Sequence, residues 1–538
     1  MIKEILGWWG KLGNPDQKHT NSLAKSSPTI KASLESATLG TNLSQNIKQL
    51  KIIFDRSSDI VYREFQLGEI QKGILVFLDG LTNMELIDDD VIKPLLEYGK
   101  NSLSPSMLRF EELETMLRNQ VISAAQVSSG ARIQEVIDHV LSGDTALILD
   151  GVGQALFISA KEWESRSVEE PATEAVIRGP REGFTESLRT NTSLIRRRLK
   201  TPELKMEALK VGQLSKTDLV ITYLDSIADE SLVAEVRERI SRIDIDAILE
   251  SGYIEELIED NPYTIFPQVQ YTERPDKVVG NLLEGKVGII IDNTPFALTV
   301  PVTFYEMLQA SEDYYGRYII STMIRWIRFL FLVIALLFPS LYVALLTYHQ
   351  EMLPSTLLFS VAASRESVPF PAIVEALLME ISFEGLREAG VRLPRPVGQA
   401  VSIVGALVIG QAAVTAGLVS APMVIVVAIT GIASFIIPSY GQAVAIRMLR
   451  FPIMILAGSL GLYGILLAIL LIFSHMCRLR SFGIPYLSPM APLHLGDIKD
   501  ALIRAPWWSM INRPEESAKG NPQRMNKSLR PRRPKRTK

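Results

Sequence analysis

Cysteine is nearly absent from this sequence of 538 residues, since Cys477 is the only one. A single cysteine excludes a disulfide within the chain. Histidine is also scarce, and the five histidines lack the spacing of metal ligands. No glycine-rich loop of the Walker or dinucleotide type is present. We therefore expect no enzyme activity, no metal and no cofactor.

The N-terminus lacks an apolar run of signal-peptide length, although Trp8 and Trp9 lie near it. We therefore expect that the N-terminal region is not exported. Large apolar residues are also rare over residues 15–46, where Ser, Thr, Asn and Lys dominate. This composition predicts a mobile leader over residues 1–46.

Formal charge is missing from all fifty residues of Val397–Ile446. A helix crosses a hydrocarbon core with about 20 apolar residues, so this stretch is roughly twice the required length. Ser420 to Pro422 forms a break near its middle. A core helix of a soluble protein would be shorter and would show a polar face. The stretch therefore predicts a membrane hairpin of two helices.

Two further uncharged runs are long enough to span a membrane, Phe329–Tyr348 and Phe451–Cys477. Together with the hairpin they predict an all-α transmembrane domain over residues 320–480 with about four crossings. The outer ends of these runs carry arginines, which favours a cytoplasmic location for both soluble ends. Arg447 and Arg450 would then lie on the opposite side, against the usual bias.

The charged region before the first apolar run has the pattern of an α/β protein. Two apolar runs flank Asp150-Gly151, which indicates a β-hairpin. The same order of apolar runs and turn residues recurs around Asp292. We therefore predict two related tandem subdomains, over residues 47–165 and 166–310. A long polar helix is predicted within the second, from Ser231 to Ser251.

Cations accumulate in two further places. The run Arg196-Arg197-Arg198 lacks interleaved aromatic residues, so we expect no nucleic-acid binding. The last part of the chain is rich in Pro, Lys and Arg. It predicts a disordered cytoplasmic basic tail over residues 481–538, which attracts anionic membrane lipids.

The segment Leu353–Pro396 carries ionisable residues between the apolar runs. It is predicted to contain a helix over Ala372–Ala389, preceded by a short uncharged run. Helical periodicity places four charged residues on one side of this helix and turns Glu375 away from them; the four are Glu380, Glu384, Arg387 and Glu388. Charged groups at membrane depth usually face a water-filled cavity or a partner.

Two interpretations of residues 353–396 stay open. In the first, the segment is re-entrant, its carboxylates favour cations, and Val361 and Ser360 form a constriction. In the second, it is an amphipathic helix at the interface with internal Glu–Arg pairs. We name Glu375, Glu380, Glu384, Arg387 and Glu388 as pore or gating candidates.

The motifs of this region resemble the A subunit of GerA-type spore germinant receptors. The resemblance is carried by Pro369-Phe370-Pro371, Met379-Glu380, Phe383-Glu384 and Leu386 to Gly390, and by Gly410 to Val414 with Pro422 to Ile425. It extends to the layout of leader, two-part soluble region, membrane block and tail. It implies a multi-pass protein of the inner membrane of the bacterial spore that acts with B and C partner subunits. It also implies that A subunits oligomerise and open a path for monovalent cations when a germinant binds.

Two functions therefore compete. The first is a receptor subunit that forms or gates a cation path. The second is a non-conducting scaffold or signalling subunit that assembles partner subunits. A secondary transporter would show repeats within the membrane block, and none is visible.

Overall fold

A computed structural model describes residues 37–67, 71–101, 127–161, 170–171, 173–393, 410–527 and 529–531. Two compact units are present. One comprises Met1–Glu164 with Arg196–Glu207, and the other comprises Ser165–Ile195 with Ala208–Lys538.

The first unit is built around a five-stranded antiparallel sheet in the order β1-β2-β4-β5-β3. Its strands are β1 Ile60–Leu67, β2 Gln71–Leu78, β3 Val127–Gly130, β4 Thr145–Leu149 and β5 Ala155–Ile158. Helices α1 Leu43–Ile53 and α3 Ile133–Leu141 bury their apolar residues against one face. The other face is covered by a π-helical turn, Ile87–Ile92, and by the start of α2, Lys93–Asn101. The hairpin predicted around Asp150 is confirmed, because β4 pairs with β5 across it.

The second sheet repeats the strand order of the first, as β6-β7-β9-β10-β8. These strands are β6 Leu204–Val211, β7 Thr217–Leu224, β8 Gln270–Thr272, β9 Val287–Ile291 and β10 Ala297–Val300. The helices that accompany them are α4 Leu188–Arg198, α5 Glu230–Ser241, α6 Ser251–Ile258 and α7 Pro275–Leu282.

The turn aspartates have the same structural task in both sheets. Asp150 accepts a hydrogen bond from the Leu43 N–H at the start of α1, at 3.0 Å. Asp292 accepts one from the Leu188 N–H at the start of α4, at 3.1 Å. A carboxylate at a helix N-terminus satisfies a free N–H and is favoured by the helix dipole. These aspartates are therefore turn and capping residues.

The prediction of one helix from Ser231 to Ser251 is wrong. Helix α5 ends at Ser241, and α6 begins at Ser251. Between them, the carbonyl groups of Ile245 and Asp246 accept hydrogen bonds from the turn after β6. These hydrogen bonds keep the backbone out of the helical conformation. They join residues that are distant in sequence, so the charge pattern of the segment does not predict them.

Among the described residues after the second sheet, five helices have eleven or more residues: α8 Tyr318–Tyr348, α9 Ser355–Arg365, α10 Ala372–Arg392, α11 Ala421–Phe435 and α12 Tyr440–Arg478. Of the described helices, α8 and α12 are long and apolar enough to cross a membrane. The 15-residue α11 is shorter. Residues 397–409, in the first arm of the predicted hairpin, lie outside the described residues. Four crossings therefore stay a prediction.

Helix α8 begins well before the predicted apolar run, so Arg325 and Arg328 lie inside it. Both arginines are buried against Asp313, with N–O distances of 3.0 Å and 2.6 Å. Arg325 also pairs with Asp500 at 3.1 Å. Because these carboxylates compensate the buried charges, the helix continues through positions where hydropathy alone would end it.

The chain after α12 packs onto the second α/β region. Arg513 donates to the Leu283 carbonyl, and Ser517 donates to the Glu284 carbonyl. Arg524 forms an ion pair with Glu284 at 2.7 Å. The prediction of a disordered tail over residues 481–538 therefore does not hold for residues 481–527. Its arginines contact protein carbonyls and carboxylates that lie far away in the sequence.

Candidate functional site

Helix α10 carries most of the candidate residues and packs against α8, α11 and α12. Pro371 precedes its first residue, which suits a helix start because proline lacks an N–H. The helix is apolar on most sides. Its ionisable side chains are therefore placed by specific partners on the neighbouring helices.

Glu375 is fully buried in the first turns of α10. One of its carboxylate oxygens accepts from the Ser420 N–H at 2.6 Å and from the Ser420 hydroxyl at 2.5 Å. The other lies 3.5 Å from the Arg365 Nε at the end of α9. Glu375 thus links α9 and α10 to the start of α11.

Glu380 and Glu384 face two arginines of α12. Glu380 forms a buried ion pair with Arg450, and each side chain is only 3% exposed. Glu384 lies 3.3 Å from Arg447, which is 6% exposed. The two carboxylates lie four residues apart on α10 and the two arginines three apart on α12, so each set lies on one face of its helix. Two parallel ion pairs therefore join these helices.

Arg387 and Glu388 do not join this set. Arg387 donates to the Ser434 hydroxyl at 3.3 Å, and its guanidinium stacks 4.4 Å from the ring centre of Phe435. Glu388 is exposed and pairs with Arg392 one turn further along α10. The four residues predicted to act together thus separate. Glu380 and Glu384 face α12, Arg387 contacts α11, and Glu388 forms a surface pair with Arg392.

Val361 and Ser360 are placed differently from each other on α9. Val361 is buried against Leu346 and Ala372. Ser360 is exposed. Within a single chain, Val361 therefore packs as a core residue.

Sequence reasoning missed the arginines Arg365, Arg447 and Arg450. It treated Arg447 and Arg450 as flanking cations, and it gave Glu375 no partner. A usable signal was present in the spacing. Two cations three residues apart lie on one face of an apolar helix, and two carboxylates four residues apart lie on one face of another.

The described residues contain no group of three or more His, Cys, Asp or Glu side chains that could hold a metal ion. The chemistry that the site offers is electrostatic. Its three carboxylates each face an arginine inside a block of apolar helices.

Comparison with known proteins identifies the family. Residues 48–516 match the family described as Bacillus/Clostridium GerA spore germination protein. This chain belongs to the GerA family. The expectation drawn from the motifs of α10 and its surroundings is thereby confirmed.

Relatives within the GerA family match nearly the whole chain. The "Uncharacterized membrane protein YfkQ" of Bacillus subtilis is 50% identical over 486 residues, which cover 90% of this chain and 93% of YfkQ. "Spore germination protein KA" of Bacillus subtilis is 46% identical over 495 residues, covering 92% and 90%. "Spore germination protein GerLA" of Bacillus cereus is 40% identical over 475 residues, covering 88% and 95%.

A solved structure also matches, namely the N-terminal domain of the A subunit of the Bacillus megaterium spore germinant receptor GerK3. It is 35% identical, with a TM-score of 0.40, and the match covers 50% of this chain and 98% of that domain.

Proposed function

We propose that this chain is the membrane subunit of a nutrient germinant receptor of the bacterial spore, and that it forms or gates an oligomeric cation path. Family membership supports the receptor role. The cation path rests on one observation, the placement of three carboxylates among apolar helices, with Glu375 and Glu380 buried and Glu384 partly buried. Carboxylates are costly there unless they have a function or a partner, and they favour cations wherever water reaches them.

The proposal extends to location and partners. The chain is a multi-pass protein of the inner spore membrane, with its N-terminal region and C-terminal tail in the cytoplasm. It acts with B and C subunits of the same receptor and with further copies of itself. Anionic lipids contact its cations at the membrane surface. Germinant binding to the complex opens the path for monovalent cations.

The experiment is the substitution of Glu380→Gln and, separately, Glu384→Gln in the receptor of intact spores. Glutamine keeps the shape of glutamate and removes its charge. We expect the rate of K⁺ release after nutrient addition to change at least about fivefold, because the path loses a fixed charge. Glu351→Gln is the matched control. Glu351 is 76% exposed, and its partner at 3.9 Å is His349, which does not belong to the pairs between α10 and α12. Immunoblotting of spore membranes checks that protein level and assembly are unchanged.

A non-conducting scaffold is the second candidate, and one observation favours it. Both Glu380 and Glu384 already face arginines, so neither carboxylate is free to attract a cation in this conformation. Normal K⁺ release by spores with either glutamine variant would support the scaffold and contradict carboxylates that line a path. A neutral substitution that makes spores leak ions without nutrient would exclude the scaffold.

A further inference from the structure

The pairs between α10 and α12 are poorly satisfied for buried charges. Several of their atoms have no hydrogen-bond partner among the described residues: Glu380 Oε1, Arg447 Nε and Nη1, and Arg450 Nε and Nη2. A buried ion pair is stable only when its remaining donors and acceptors are also bonded. Each guanidinium therefore carries unused donors in an apolar block, and one carboxylate oxygen of Glu380 has no hydrogen bond.

Packing of the backbone holds this arrangement in place. Gly431 of α11 faces the ring of Phe383 on α10, where an added Cβ would lie 2.6 Å from the ring. Gly458 of α12 faces Ile373 on α10, where an added Cβ would lie 2.3 Å from the side chain. Small residues permit such close contacts between helices. Helix α10 is thus seated between α11 and α12 by apolar contacts, while its ionic contacts with α12 stay incomplete.

We infer that Arg447 and Arg450 are releasable counter-charges that hold the α10 carboxylates in a resting, non-conducting arrangement. This inference rests on the proposed cation path and assigns to these two arginines the control of that path. While the pairs are closed, the arginines cancel the charge of Glu380 and Glu384. When α10 moves away from α12, water reaches the unused donors and acceptors, and the carboxylates become available to cations.

The two ion pairs differ in burial, and this difference predicts which arginine contributes more to the resting arrangement. Arg450 and Glu380 are each 3% exposed, whereas Glu384 is 29% exposed opposite Arg447. Loss of a counter-charge matters most where water cannot replace it. Arg450 is therefore the principal counter-charge, and Arg447 is the secondary one. Both are positioning residues that act through the carboxylates.

The experiment measures K⁺ release from spores in buffer without nutrient. Arg450→Gln leaves Glu380 charged, buried and unpaired, which disfavours the resting arrangement. We expect these spores to release K⁺ at least about tenfold faster than the parent, with a smaller increase for Arg447→Gln. The charge-swapped double variant Glu380→Arg with Arg450→Glu restores a pair, and its release should return towards the parent rate.

Arg392→Gln is the matched control. Arg392 and Glu388 form a pair within α10, the helix that carries Glu380, and both of their side chains are exposed. It should leave release without nutrient unchanged. Release that stays at the parent rate in Arg450→Gln spores with normal protein level would overturn the inference. Loss of Arg450→Gln protein from the membrane, with no rescue by the charge swap, would also overturn it, because Arg450 would then be required for folding independently of its pair with Glu380.

The two proposals fail in different ways. If Glu380→Gln alters nutrient-triggered release but Arg450→Gln does not leak, the cation path stands and the counter-charge role is lost. If neither Glu380→Gln nor Glu384→Gln alters nutrient-triggered release, the path proposal itself is contradicted.

Discussion

At the scale of single residues, ionisable side chains in this protein are governed by partners that lie far away in the sequence. Arg325 pairs with Asp313, which is near in sequence, and with Asp500, which is not. Arg450 pairs with Glu380 across two helices. Local patterns identified each of these residues as charged and near a membrane. They could not supply the partner, because an ion pair depends on how the helices meet.

Asp500 gives a test of this electrostatic network. Burial raises the pKa of Asp500 to about 6, although Arg325 and the Tyr314 hydroxyl oppose the shift. Because the pKa is higher in the folded state than its ordinary value of about 3.9, ionised Asp500 opposes folding. This cost is fully present above about pH 6 and disappears as the pH falls towards 4. The titration of Asp500 therefore makes the folded state less stable at neutral than at acidic pH.

The Asp500→Asn variant keeps the shape of the protonated acid and an acceptor for Tyr314, which lies 3.1 Å away. We expect it to be more stable than the parent at pH 7.5, by on the order of 1–3 kcal/mol, and nearly equal to it at pH 4.5. Thermal unfolding of the purified chain in detergent at both pH values measures the difference. A difference between variant and parent that stays constant with pH would show that Asp500 does not titrate in this range.

At the scale of helices and strands, composition and turn residues predict those elements whose contacts are between residues close in sequence. The Asp150-Gly151 pair predicts the β4–β5 hairpin, and Gly151 adopts the positive φ of 82° that such a turn requires. Asn293 occupies the corresponding position in the second sheet with φ of 66°. Helix ends in the apolar region were less predictable, because packing and ion pairs decide them.

Gly461 marks an irregularity in helix α12 that the sequence pattern does not predict. It lies within α12 with φ of 63° and ψ of −142°, so the helix is kinked there. An added Cβ would lie 2.9 Å from the His349 ring and 3.0 Å from Tyr348. Residues with a side chain avoid this backbone conformation. Glycine is thus required both by the backbone and by the neighbouring end of α8.

Gly461→Ala should therefore lower the free energy of unfolding by about 1–3 kcal/mol, through backbone strain and crowding. Gly385→Ala on α10 is the opposite case, because nothing lies within 4 Å of an added Cβ there. It should raise stability by about 0.5–1 kcal/mol, since alanine favours helix more than glycine does. Chemical unfolding in detergent compares the two. Equal effects in the same direction would mean that the kink at Gly461 is not fixed by glycine.

At the scale of the whole molecule, the sequence supports the division into α/β and helical parts, because that division follows from hydropathy. The repeated strand order could be anticipated from the repeated turn residues. The candidate site could be predicted only in part. Glu375, Glu380 and Glu384 were identified from their charge in an apolar context, whereas their arginine partners depend on the packing of α9, α10 and α12. The structure of the C-terminal segment depends equally on distant contacts.

The C-terminal segment after α12 contacts the second α/β region closely. Asn512 and Gln523 form a bridge that closes a loop, and Arg513 within it donates to the carbonyl groups of Leu283, Asn521 and Gln523. Gly285, with φ of 86°, lies so close to the Ser517 carbonyl that an added Cβ would be 2.5 Å from it. This close contact shows that the second α/β region and the segment fit each other closely. The segment therefore covers a surface that would otherwise be exposed.

A chain ended after Ile511 loses this contact, whereas a chain ended after Lys527 keeps it. We expect the shorter chain to be cleaved by trypsin near α7, at Lys277 or Lys286, on the order of tenfold faster than the longer one, because local opening becomes easier when covering contacts are removed. Lys286 is 3% exposed and paired with Glu306 in the intact protein, so its cleavage reports opening of this region. Equal cleavage rates for the two chains would show that the basic segment lies on the second α/β region without stabilising it.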